Sequence, residues 1–141
     1  MVTNEFRTST GTGDKAIVRL RIYLALDAVV TAVNGLAYVA ASGPLERLLG
    51  VDSGLLSGLG AFLVLYGVVV GYTAGRPRPP AGAVRAVVGI NLLWAVLSIA
   101  AVVFDFLGAS TAGQVWTVMQ AVAVGGFAGL QYRALRRISC R

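Results

Sequence analysis

Polar side chains recurring every three or four residues inside an otherwise apolar run are the first candidates for chemistry in this sequence. Tyr23, Asp27, Thr31, Asn34 and Tyr38 follow that spacing, which places them on one face of a helix that must turn toward other helices. Asp27 is the one carboxylate well inside such a run. An aspartate at the centre of a membrane-spanning helix costs about 2.5 to 3.5 kcal/mol, and less near the membrane edge, where Asp27 falls. Acids so placed occur in structural ion pairs and in proton or substrate pathways. Arg85 and Asn91 reach a comparable depth on the third apolar run, so Asp27 and Arg85 form a candidate ion pair. Asn34, Tyr66, Asn91, Ser98 and Gln120 join Asp27 in a candidate intramembrane polar cluster. Such a cluster either lines a small pocket or ties helices together through hydrogen bonds. Trp94 lies deep in the third run, where its indole N–H needs an acceptor.

Other chemistries lack their parts. There is no His, and the single Cys is Cys140, so haem ligation by His, zinc sites, iron–sulfur clusters and Ser-His-Asp or Cys-His catalysis lack ligands or bases. Asp27 and Asp105 fall near opposite ends of the apolar runs, about 20 to 25 Å apart in depth at 1.5 Å per residue, and do not form an aspartyl dyad. The expectation is therefore a non-enzyme without catalytic, cofactor or metal site. A net charge of +6 does not point to nucleic acid, because the basic residues border apolar runs instead of lining one continuous face.

The elements that position these residues follow from composition. At 57% hydrophobic and 13% charged residues, with a mean hydropathy of +0.77, the chain is too apolar for a soluble domain. Four runs, 22–41, 55–73, 86–104 and 111–130, each match the roughly 20 residues that cross a hydrocarbon core of about 30 Å. In lipid every backbone amide needs an internal partner, so the runs are expected to be helices. The first run is longer than a secretory h-region and is interrupted by Asp27 and Asn34, so it reads as a retained helix. Arg7, Lys15, Arg19, Arg21, Arg76, Arg78, Arg85, Arg133, Arg136, Arg137 and Arg141 lie on one side of the spans and only Arg47 on the other, which places both termini in the cytoplasm. The expected fold is an all-α, membrane-spanning four-helix bundle with antiparallel neighbours. Residues 1–16 read as a flexible polar tail, 17–133 as the transmembrane domain and 134–141 as a basic cytoplasmic end. The outer connection 42–54 carries Leu45, Leu48 and Leu49 at helical spacing, whereas the inner connection from Gly75 to Pro80 cannot be helical through its three prolines. Tyr23, Tyr72 and Tyr132 near the inner boundary and Trp116 near the outer one match the aromatic belts of membrane proteins.

Gly67, Gly71 and Gly75 on the second run, with Gly125 and Gly129 on the fourth, have the four-residue spacing of close helix packing. Aligning Asn34 with Asn91 also matches the first two runs to the last two, as a duplicated hairpin would. With Leu26-Asp27-Ala28-Val29-Val30, Gly43-Pro44-Leu45 and Val115-Trp116-Thr117-Val118-Met119-Gln120-Ala121, the chain resembles the small four-helix bacterial integral membrane proteins of unknown function, and is similar in general plan to DoxX-like proteins. That resemblance implies a four-helix fold and membrane residence, and no activity. The expected role is a structural or accessory subunit of the cell membrane, packing against a second copy or a larger complex, with anionic headgroups on its inner face. The alternative is a small proton-coupled transporter using Asp27 and the midplane cluster; small multidrug transporters likewise have four helices and an acid in the first.

Overall fold

The computed structural model describes the backbone of residues 2–139, together with the side chains of residue 11 and residues 13–139. The expectations for Arg7, Cys140 and Arg141 fall outside it. Five helices follow one another: α1 (Val2–Ala40), α2 (Ser42–Leu49), α3 (Ser53–Gly75), α4 (Ala81–Val103) and α5 (Thr111–Ser139). Each of the four long helices carries one of the apolar runs, and α3 and α4 are long and apolar enough to cross a membrane by length and composition alone.

The helix ends have local causes. Asp52 caps α3, its carboxylate accepting from the Leu55 N–H at 3.0 Å and so satisfying one of the amides that a first turn leaves free. Gly50 closes α2 in the left-handed region, φ 70°, donating its N–H to the Glu46 carbonyl at 2.9 Å. Pro77, Pro79 and Pro80 keep the α3–α4 connection non-helical until Pro80 itself leads into α4. α1 begins at Val2, within the polar stretch. Once the apolar part of α1 has nucleated, each added residue gains a hydrogen bond without a new nucleation cost.

The long helices pack most extensively as α1 with α3 and α4 with α5; α5 also lies along α1, while α3 and α4 barely meet. Each of these two close pairs joins long helices that are consecutive in the chain. Where α1 crosses α3, Gly35 and Gly60 face each other. A Cβ on Gly35 would lie 2.7 Å from the Gly60 carbonyl oxygen, and one on Gly60 would lie 2.6 Å from the Gly35 carbonyl oxygen. Only glycine permits that approach. Of the glycines singled out by spacing, Gly67 packs tightly on α1, with Ala32 and the Ala28 carbonyl at 3.0 and 3.1 Å from a built Cβ. Gly71 and Gly125 make ordinary contacts with Ala28 and Ala95, and Gly75 and Gly129 face open space.

Two apolar clusters stabilise the ends of the molecule. One, toward the termini, centres on Leu20, Leu24, Val70, Val84, Ala128 and Leu135; the other, toward α2, gathers Tyr38, Leu49, Val51 and Leu56. The outward faces of all four long helices are also apolar, with Val33, Leu65, Val96 and Val122 exposed.

Replacing Gly60 by Val should destabilise the protein by about 1 to 3 kcal/mol through overpacking at this crossing. Gly89→Ala, at a position with nothing within 4 Å, should leave it unchanged or slightly more stable. Thermal unfolding in a mild detergent checks both; equal midpoints for the two variants would show that the backbones do not approach as described.

Candidate functional site

Asp27 sits between Leu24 and Ala28 of the cluster toward the termini, 1% exposed. Its carboxylate is held by donors from three helices. The Asn91 amide donates to Oδ2 at 2.7 Å from α4, and the Gln131 amide donates to the same oxygen at 2.8 Å from α5. One turn along α1, the Thr31 hydroxyl donates to Oδ1 at 3.3 Å. Tyr66 on α3 completes the chain, donating its hydroxyl to Asn91 Oδ1 at 2.9 Å. A phenol at the amide oxygen orients the Asn91 side chain, leaving its NH2 to face Asp27. The network therefore touches all four long helices.

The expected pairing of Asp27 with Arg85 is not formed. The buried face of α4 is Val84, Val87, Val88 and Asn91, and Arg85 lies off it, exposed. Gln131 takes the place given to Arg85. It is fully buried, and its position just past the end of the fourth apolar run hid its role. The available signal was its spacing of eleven residues from Gln120, three helical turns, which sets both amides on one face of α5. The Gln131 Oε1 oxygen has no partner, the one such buried side-chain atom among the described residues.

All six residues of the expected polar cluster, Asp27, Asn34, Tyr66, Asn91, Ser98 and Gln120, line one cavity of about 210 Å3. For scale, an engineered apolar cavity of about 150 Å3 accepts benzene. The cavity runs from Asp27 toward the α2 end. Asn34 donates to Gln120 Oε1 at 3.1 Å along its wall, and Trp116 donates its indole N–H to the Tyr38 hydroxyl at 2.7 Å near its far end. Most of the lining is apolar. Phe62 stacks between Tyr66 and Trp94, at centroid distances of 6.0 and 6.1 Å, so one wall presents flat rings. Both tryptophans of the chain, Trp94 and Trp116, line the space.

Where α3 and α4 separate, Phe62 on α3 and Ile90 and Leu97 on α4 line the cavity and are also exposed, as is Val30 on α1. Among the described residues no three His, Cys, Asp or Glu side chains come together. The polar groups lining the cavity are amides and hydroxyls, which donate and accept, indole N–H groups, which donate, and the Asp27 carboxylate, which accepts.

These features define a small all-α protein whose internal cavity has polar walls at one end and aromatic ones along its side. No protein-family model, curated protein or solved structure matches the chain.

Asp27→Ala should leave the Asn91 and Gln131 amides without their acceptor, at about 1 to 3 kcal/mol for each stranded group, whereas Asp27→Asn keeps an acceptor oxygen and should lose less. Unfolding midpoints of the two variants decide this. If Asp27→Ala is as stable as the parent, the carboxylate does not hold the helices together.

Proposed function

We propose that this chain is a multi-pass membrane protein whose four long helices span the bilayer with both termini cytoplasmic, and that it binds a small, largely apolar molecule carrying one hydrogen-bonding group. The cavity shared by all six polar residues supports the binding role most directly. Apolar side chains exposed around every long helix favour lipid as the surroundings, since patches of that extent on a water-facing surface mark an interface. The eleven-to-one distribution of basic residues favours the orientation.

The chemistry of the cavity favours a particular kind of occupant. A flat hydrocarbon or aromatic body matches the Phe62 and Trp94 rings, and a hydroxyl, amine or amide matches the Asn34–Gln120 pair and the Asp27 network. Entry between α3 and α4 suits a molecule already dissolved in the bilayer. An accessory role through glycine faces has less support, because Gly67, Gly71 and Gly125 meet neighbours within the chain.

A second reading, proton-coupled transport, is favoured by one atom. Gln131 Oε1 lacks a donor beside a carboxylate that would gain one on protonation, and a turn of the Gln131 amide would let a protonated Asp27 donate to it. On this reading, Asp27→Asn abolishes proton-driven uptake in liposomes while the protein stays folded. Uptake equal to that of the parent excludes it.

The binding reading is tested with the protein's own tryptophans. Titration of the detergent-solubilised protein with 2-naphthol should give saturable quenching, and Ser98→Phe, which fills the cavity, should remove the saturable part. Identical, non-saturating quenching in parent and variant would count against a ligand site.

A further inference from the structure

A second concave site lies between α1 and α5 at the end that carries the termini, and neither the Asp27 network nor the central cavity uses it. Arg19 and Tyr23 stand one turn apart on α1, and Arg133 and Arg137 stand one turn apart on α5; all four line a cleft of about 150 Å3. Its floor includes Ala16 and Ala134, both 5% exposed. Small side chains there leave room between the longer ones above.

Three guanidiniums therefore border one small space, and among the described residues no carboxylate lines it. Other arginines at this end are engaged differently. Arg21 donates to the Ala74 carbonyl at 3.0 Å, and Arg76 and Arg136 lie 5.9 Å over the rings of Tyr72 and Tyr132. Like charges brought together across a cleft repel one another, and a bridging anion reverses the sign of that interaction. Guanidinium forks contributed by two facing helices suit a tetrahedral oxyanion, which accepts several charge-assisted hydrogen bonds at once. The Tyr23 hydroxyl adds a neutral donor. Leu130, on the same wall of α5, gives the cleft an apolar edge.

We infer that this cleft is a phosphate-binding site, taking either the headgroup phosphate of an anionic phospholipid or free inorganic phosphate. Arg19 holds it from one side and Arg133 with Arg137 from the other. The phospholipid source rests on the membrane reading above; the inorganic source does not, and neither depends on the central cavity.

The test uses the full-length protein in detergent, exposed to mixed micelles of phosphatidylglycerol and phosphatidylcholine, with retained lipid counted by native mass spectrometry. A parallel arm titrates inorganic phosphate and reads thermal unfolding. Arg19→Gln on one helix and the Arg133→Gln, Arg137→Gln double variant on the other are compared with Arg76→Gln, Arg78→Gln in the α3–α4 connection. All substitute exposed side chains. Each cleft variant should lower phosphatidylglycerol retention by about tenfold or more, the worth of a lost charge-assisted hydrogen bond, and the connection variant should not. If millimolar phosphate raises the unfolding midpoint of the parent and displaces the lipid, free phosphate is the source; if it does neither, the lipid is. Equal losses in cleft and connection variants would show diffuse attraction to positive charge and overturn the site. So would a parent that neither prefers the anionic lipid nor responds to phosphate.

Discussion

A carboxylate shut away from water persists only where donors are fixed around it, and the arrangement of this protein depends on how Asp27 meets that demand. Donors reach it from its own helix, from α4 and from α5, and α3 joins through the Tyr66 hydroxyl on Asn91. The Asn91 amide cannot turn without stranding both Asp27 and Tyr66, so the network sets the angular position of the long helices. The apolar clusters add stability but carry little directional information, because hydrophobic contact is non-directional. The polar centre selects one register among the many that greasy helices could adopt.

The cavity follows from two constraints that pull α3 in different directions. Close approach at Gly35 and Gly60, continued at Gly67, draws α3 onto α1. That leaves α3 separated from α4 along most of its length. Hydrogen bonds from the Tyr66 hydroxyl to Asn91 and to the Val87 carbonyl, with the stacking of Phe62 on Trp94, bridge the gap. A fold optimised for packing alone would close such a space, since lost contacts around a void cost stability. Its retention beside a polar network is what directs attention to binding.

Much of this architecture was legible in the sequence, and the rest was hidden for geometric reasons. Hydropathy located the four long helices, and the three- and four-residue spacing identified the α1 stripe whose Asp27, Thr31 and Tyr38 are buried. Depth along each run brought Asn34, Tyr66, Asn91, Ser98 and Gln120 to one cavity. Depth says nothing about rotation, however. Arg85 and Asn91 both looked available to Asp27, but they point to different sides of α4, and only the buried one reaches it. Gln131 was hidden because it lies just past the apolar run, where a polar residue reads as the membrane edge. The Gly35–Gly60 crossing was hidden because its two glycines belong to different helices, and a spacing rule read along one helix cannot pair them. The polar start of α1 has no apolar stripe by which a sequence pattern marks a helix, and α1 extends through it as a continuation of the apolar part.

The decisive measurement is an experimental density map of the protein in a lipid nanodisc. It should show α1, α3, α4 and α5 crossing the bilayer, the Asp27 carboxylate within hydrogen-bond distance of the Asn91 and Gln131 amides, and a space beside Tyr66 that opens between α3 and α4. Helices lying outside the lipid, or Asp27 paired with Arg85 and that space filled by the Phe62 and Trp94 side chains, would contradict this arrangement.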